Sequence, residues 1–477
     1  MDYRKIEPRN VFTWFYKINQ IPRCSGDEKA VSDFLVNFAR ERNLEVYQDD
    51  LYNVIIKKPG TEGYEKSDPV IIQGHMDMVC IKGEGSEHDF TKDPIKMIVE
   101  GDILRADNTT LGGDNGIAIA YGLAILDSNE QKHPPIELLI TTNEETGMDG
   151  AYALTGENLS GKILLNLDSE EEGVFLASCA GGADISTSFK VEKEDGAGVG
   201  LEIMVSGLKG GHSGMEIIKQ RGNAIKILAR LLYQCKTEEN IRLAHMAGGT
   251  KSNAIPAEAR AKIWVEDIKG VKELISKLAA EIKAEYMVEE EELVIKTREI
   301  DIEKVYTKDL SDNIIDYLMI VPDGVQYMSK DIEDLVLTSL NNAIIKEEGS
   351  YIRIESSLRS SMASSLEEIA NRLMVMAKRS NATAKLKGQY PAWQYEEESK
   401  IRDICVNLYE EMFNERATVT AIHAGLECGI LKKILPDVDM ISFGPNLYDV
   451  HTEKEHLSIP SVNRMWKFLV RLLEELK

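Results

Sequence analysis

The sequence predicts an α/β protein, a mixed, largely parallel sheet between helices, interrupted by an inserted α+β domain. Three observations carry this. Short Val/Ile/Leu runs end on histidine or carboxylate: Pro-Val-Ile-Ile-Gln-Gly at His75, Ile136-Glu-Leu-Leu-Ile-Thr-Thr-Asn at Glu144 and Glu145, Lys162-Ile-Leu-Leu-Asn-Leu at Asp168. Runs of this length are what strands buried on both faces of a parallel sheet look like. Amphipathic helical stretches flank them. A residue of the same chemical kind then recurs far downstream, at His451, after Met440-Ile-Ser-Phe-Gly-Pro.

Taken in order, Ser25-Gly-Asp-Glu28 reads as a capping box ahead of a helix carrying Val31, Phe34, Leu35 and Phe38. The strand ending at His75 is followed by Asp77. Leu-Gly-Gly-Asp114-Asn-Gly precedes a helical stretch with Ile117, Ala120, Leu123 and Ala124, which puts Asp114 at a helix N-terminus. In open α/β sheets ligands bind at the carboxyl ends of the strands, so three strands deliver imidazole and carboxylate to one edge. For His451 to join them, the chain after Asp168 must leave the sheet and return. The insert is expected to begin near Ser186-Thr-Ser-Phe-Lys and end near Gln389-Tyr-Pro-Ala-Trp, giving domains 1–186, 187–389 and 390–477. Inside it, Leu201-Glu-Ile-Met-Val-Ser precedes a helix at 223–233 and Tyr351-Ile-Arg-Ile-Glu-Ser-Ser-Leu one at 365–378, a repeat of pattern rather than identity. The chain closes on a helix carrying Met465, Phe468, Leu469 and Leu472.

A length of 477 residues is ample for a substantial core. Lys+Arg 56 against Asp+Glu 80 gives a net charge of −24, which argues against nucleic acid or an anionic membrane surface as partner and for good solubility. The acidic run at 289–292 reads as a solvated face. The amino-terminal Met-Asp-Tyr-Arg-Lys-Ile-Glu-Pro-Arg has no apolar core of a secretory signal, and the longest apolar stretch, 116–126, is too short to span a bilayer. A cytoplasmic location is therefore expected. Six cysteines are scattered without a Cys-x-x-Cys pair, so reduced, mostly buried thiols are expected.

Mixed His and Asp/Glu ligands suit zinc or a neighbouring divalent metal, cobalt and manganese included, whereas an all-oxygen set suits magnesium or calcium. A lone Asp after a strand is more often a helix cap, and a lone His more often a satisfied core residue. Jointly, two imidazoles and three carboxylates suit two ions, with one Asp bridging and a position on each left open for water.

Beyond these ligands, His75-Met-Asp77-Met-Val-Cys, Thr109-Thr-Leu-Gly-Gly-Asp114-Asn-Gly, Asn143-Glu144-Glu145-Thr-Gly-Met-Asp-Gly-Ala, Asn166-Leu-Asp168-Ser-Glu-Glu-Glu-Gly, Gly210-Gly-His212-Ser-Gly and His423-Ala-Gly-Leu-Glu-Cys-Gly run through the chain in order. Together they resemble the aminoacyl-histidine dipeptidases (Xaa-His dipeptidases, bacterial carnosinase-like), within the superfamily of co-catalytic zinc dipeptidases, carboxypeptidases and acyl-amino-acid deacylases. The resemblance implies two Zn2+ per subunit. His75, Asp114 and Asp168 would form one site, and Asp114, Glu145 and His451 the other. It implies Glu144 as general base, Asp77 as the carboxylate that orients His75, and His212, Asn253 and Arg359 as holders of substrate oxygen atoms or the terminal carboxylate. A catalytic outer domain, an insert that acts as lid and dimerisation domain, and hence a homodimer, are implied as well. The segment Gly444-Pro-Asn-Leu-Tyr-Asp-Val-His451-Thr-Glu departs from the family's Gly-Pro, His, Ser-Pro pattern, which leaves the ligand in place and changes the chain that would border the nearby substrate pocket.

The chemistry expected is hydrolysis of a short peptide. A water activated by two cations gives its proton to Glu144, and Arg359 suits a free carboxylate. The metals do not choose between amides, so an N-acyl-amino-acid deacylase or a tripeptidase stays open. A binding protein with a decayed site is opposed by the presence of Glu144 along with every ligand position.

Overall fold

The computed structural model describes residues 5–477; the first four residues of the amino-terminal string read above lie outside them. The chain divides into two compact units. One comprises the described residues up to Ser178 with Tyr395–Ala421 and Leu426–Lys477, the other Cys179–Gln394 with Ile422–Gly425. The strand Gly181–Lys190 pairs along its length with Tyr351–Ser360, and so the segment Ser186–Lys190 lies inside the second unit.

The first unit is built on an eight-stranded mixed sheet ordered Glu45–Gln48, Val54–Lys58, Ile136–Thr141, Val70–His75, Ile163–Asn166, Asp439–Ser442, Val174–Cys179, Thr418–Ile422. The third to sixth of these run parallel, and antiparallel pairing flanks them. All six residues of Val70–His75 and of Ile136–Thr141 are buried, as continuous apolar runs require. The helix Gly113–Asp127 is buried on nearly every side. It comes so near Val70–His75 that a Cβ at Gly74 would lie 2.6 Å from that of Ala118. A small sheet carries Leu447–Tyr448 and His456–Ser458, and His451 sits in the loop between them with φ +60°.

The second unit holds a nine-stranded antiparallel sheet, covered by helices Ala224–Glu238, Ile268–Glu285, Lys308–Ile320 and Ala363–Arg379. Asn223 caps the first of these by accepting from the amides of Ile225 and Lys226, and Asp267 caps the second. The unit has its own core, centred on Ile203, Leu228, Leu232, Ile263, Ile314 and Leu373. A two-stranded piece, Gly211–His212 with Ala254–Ile255, belongs to it.

Three expectations change. Ser25 does not cap the following helix, Lys29–Glu41; its hydroxyl donates to Asp77 at 2.8 Å, and Glu28 takes the N-cap position without a side-chain cap. Glu290, inside the acidic run, is buried because its carboxylate accepts the amides of Lys209 and Gly222. Cys24 and Cys80 form a disulfide, their Cα atoms 5.7 Å apart, because the chain at Cys24 runs beside Met78; the other four cysteines are buried.

Candidate metal centre

Seven of the residues singled out in the sequence meet in the first unit. His75 ends its strand, and Asp168 follows Ile163–Asn166 on the neighbouring parallel strand. Asn143, at φ +55°, turns the chain after Ile136–Thr141 into the short helical segment Glu144–Gly147. Asp114 lies at the start of its helix with non-helical dihedral angles, two residues past Gly112, whose left-handed φ of +69° opens the turn.

His75 Nε2 lies 3.1 Å from Asp114 Oδ1 and 3.4 Å from Asp168 Oδ1. His451 Nε2 lies 3.1 Å from Asp114 Oδ2 and 2.9 Å from Glu145 Oε2. The two oxygens of Asp114 therefore face two different imidazoles, each with a further carboxylate beside it. The donor atoms of His75, Asp114 and Asp168, and those of Asp114, Glu145 and His451, all lie within 4.8 Å of one another, and so do those of His75, Glu144 and Glu145.

The electrostatics fit cations. Burial, with Asp114 and Glu145 beside it, pushes the Asp168 carboxyl up to about 6. Burial likewise raises Glu145 and raises Glu144 well above the usual carboxylate range. Hydrogen bonds to Asp114 and Glu145 push His451 up to about 11. Against burial, the carboxylates of Asp168, Asp114 and Asp77 hold His75 above its ordinary range. Carboxylates packed this closely cannot all remain ionised without positive charge among them. The same imidazole nitrogens and carboxylate oxygens are a donor set for divalent cations.

Asp77, fully buried, faces the other ring nitrogen of His75, with Oδ1 3.3 Å from Nδ1. Its carboxylate also accepts from the amides of Glu144 and Glu145 at 3.0 and 3.2 Å and from Ser25. Against burial, His75, Ser25 and the Glu144 amide hold its carboxyl down to about 2.

His212, Arg359 and Asn253 lie in the second unit. A Cβ at Gly214 would meet His212 Cε1 at 3.1 Å and Arg359 Nε at 3.2 Å as well as the His423 carbonyl, so these side chains surround one small residue. His212 Nδ1 accepts the amides of Gly214 and Met215, which leaves the proton of the neutral ring on Nε2. Burial, then the charge of Arg359, lowers its pKa and keeps it neutral. Arg359 donates to Tyr390 Oη at 3.1 Å, and the Asn253 carbonyl accepts from the amide of Ser213.

Two residues that the sequence left without a role have clear places. His423, in the second unit, pairs with Ser339 Oγ at 2.8 Å. Glu427, 1 % exposed, accepts from Gln73 and Thr141 at 2.6 Å each, beneath the strand that ends at His75, and burial pushes it up to about 7. Both lie in His423-Ala-Gly-Leu-Glu427, and that motif was their only signal.

The pattern for peptidase family M20/M25/M40 matches residues 71–475. The cytosol non-specific dipeptidase of Escherichia coli (strain K12) is 37% identical, covering 99% of this chain and 98% of that protein. Among solved structures, the aminoacylhistidine dipeptidase of Vibrio alginolyticus superposes with a TM-score of 0.93 at 37% identity, covering 100% of this chain and 98% of that one. A tripeptidase of Staphylococcus aureus shares the fold, with a TM-score of 0.57 at 15% identity over 99% of each chain.

Proposed function

This chain belongs to peptidase family M20/M25/M40, and from that premise we propose that it is a metal-dependent dipeptidase that hydrolyses the peptide bond of short substrates, Xaa-His dipeptides among them. The observation that carries the reading is the shared carboxylate. One Asp114 serves two imidazole-carboxylate groups, with Glu144 at their side.

His75, Asp114 and Asp168 would hold one ion, and Asp114, Glu145 and His451 the other; zinc suits the donor set best, with cobalt and manganese also compatible. Cations held there would lower the pKa of a water and polarise the scissile carbonyl. Glu144 takes the proton of the attacking water and passes it to the leaving amine, a task for which its place beside His75 and Glu145 suits it. Asp77 orients His75 through Nδ1. His212, with its Nε2–H free to donate, and Asn253 are the groups for substrate oxygen atoms, and Arg359 the cation for the free carboxylate. The second unit is read as the lid and dimerisation domain of a homodimer. A cytoplasmic location accords with the cytosolic name of the Escherichia coli relative. Among the described residues no helix is long and apolar enough to cross a membrane.

The test is a panel of carnosine, other X-His and X-non-His dipeptides, a tripeptide and an N-acetyl amino acid. Parent protein and Glu144→Ala are compared, with metal content measured on both. Turnover of dipeptides, lost by about 10²-fold or more in Glu144→Ala with its metal retained, is expected. Turnover confined to the acyl amino acid or the tripeptide moves the chain to those activities, and none at all sinks the enzyme reading.

A further inference from the structure

Resting on the two-metal reading, we propose that Arg23 and Glu455 are a positioning pair for the bridging carboxylate. They hold Asp114 between His75 and His451 and so set the spacing of the two cation positions. Neither residue touches the cation positions or the substrate in this scheme. Both act through the backbone.

Arg23 is 1 % exposed. Its Nη1 donates to the carbonyls of Met76 and Asp77 at 2.9 and 3.2 Å, on the segment that follows His75. Its Nη2 donates to the carbonyl of Gly112 at 2.6 Å and to Asn19 Oδ1 at 3.2 Å. One planar fork therefore ties the His75–Asp77 segment to the turn that presents Asp114, which a point charge on a lysine could not do. Glu455, 3 % exposed, completes the link from the other side. Its Oε2 accepts the amides of Leu111 and Gly112 at 2.7 and 3.0 Å, and its Oε1 those of Gly113 and Asp114 at 2.7 and 3.3 Å. Four successive amides at a helix N-terminus converge on one carboxylate, an arrangement the helix dipole favours. Glu455 also lies just four residues after His451, on the same loop. All three stretches of chain that carry His75, Asp114 and His451 are thus joined through two buried opposite charges.

The glycines of Leu-Gly-Gly-Asp-Asn-Gly provide an independent observation. A Cβ at Gly112 would overlap Arg23 Nη2, one at Gly116 would lie 2.6 Å from the same nitrogen, and one at Gly113 would lie 3.2 Å from Glu455 Oε1. Three glycines around the bridging aspartate are fitted to this pair. The physical need is tight tolerance, because misplacing a reacting group by about 1 Å can cost about 10²-fold in rate.

The experiment titrates metal-free parent, Glu455→Gln, Glu455→Asp and Arg23→Lys with zinc, counting ions and the affinity for each, and measures kcat, KM and Tm. Glutamine replaces an accepting oxygen by a donor facing amides. In Glu455→Gln and Arg23→Lys the second ion is expected to bind about 10- to 100-fold more weakly and kcat to fall by a similar factor, with KM within about twofold. Glu455→Asp, which keeps the charge, should recover part of both. Should Glu455→Gln fail to fold, Glu455→Asp and Arg23→Lys carry the same comparison. Two ions at parental affinity with parental kcat, and only a lower Tm, would overturn the proposal and leave the two-metal reading standing. A parent protein that takes up one ion or none would overturn that reading, and with it the spacing the pair is said to set.

Discussion

In the proposed scheme, Asp77 is a single side chain that would position both a metal ligand and the general base. Its carboxylate lies 3.3 Å from His75 Nδ1, which also meets the Asp77 carbonyl at 3.1 Å, and through the amides of Glu144 and Glu145 it holds the start of the segment that carries both glutamates. Asp77→Asn keeps the shape but gives up the charge and turns one acceptor into a donor facing an amide. Metal affinity or kcat is expected to drop about 10- to 100-fold, read by chelator competition and by turnover; parental values for both would remove Asp77 from the machinery. His423 makes a different kind of statement, about stability. Burial, then the charge of Arg359, pushes it down to about 3. In the unfolded chain a histidine takes its proton near 6.5, so between about pH 6.5 and 3 the unfolded state binds more protons than the folded one. Its contribution is complete above that window and is lost as the pH falls through it, with a slope of up to about 1.4 kcal/mol per pH unit. In His423→Gln the fall of Tm between about pH 6 and 4 should be shallower than in the parent, and parallel curves would mean that the ring is already protonated in the folded state.

Elements place these residues by approaching one another closely. The strand ending at His75 lies against the helix Gly113–Asp127, and at Gly74 a methyl group would strike Asn115 Oδ1 and Ala118 Cβ. Asn115 also bonds to the His75 amide and to the carbonyl of Leu167, next to Asp168. Gly74→Ala is expected to cost about 1–3 kcal/mol, as overpacking does, and to weaken metal binding by moving His75 away from Asp114. Thermal unfolding and zinc titration check it; a drop in Tm with parental zinc affinity would mean that strand and helix move apart without disturbing the ligands. This geometry explains what the sequence made legible. Strands buried on both faces must be apolar along their length, so the runs before His75, Glu144 and Asp168 stood out, and their ends pointed to residues that the structure brings together. Arg23 did not stand out, because its partner Gly112 is 89 residues away and three of its four acceptors are backbone carbonyls, which no residue type announces. Glu455 was hidden for the same reason, its amides lying more than 340 residues upstream. Ser25 misled in the opposite sense: a local capping pattern was present, but Asp77, 52 residues on, is the better acceptor of its hydroxyl proton.

At the scale of the molecule, the two units have separate cores, and all seven residues from His75 to His451 belong to the first. A ligand that binds only the folded state stabilises it by mass action, by about 2.7 kcal/mol when its free concentration is 100 times Kd. For domains of this size each kcal/mol moves Tm by about 2–4 °C. Removing metal with a chelator should therefore lower the unfolding of the first unit by roughly 5–10 °C and leave that of the second nearly unchanged. Calorimetry with a marker in each unit separates them. Asn223→Ala deletes the cap of Ala224–Glu238 and should cost about 1 kcal/mol in the second unit alone, identifying its transition. If the chelator moved the marked transition as far as the other, either the two cores unfold as one cooperative block or the ions bind outside the cluster around Asp114. Repeating the scan on His451→Ala decides between these. In a single block with the ions at Asp114, this variant loses most of the chelator's effect on both transitions; with the ions elsewhere, it keeps that effect.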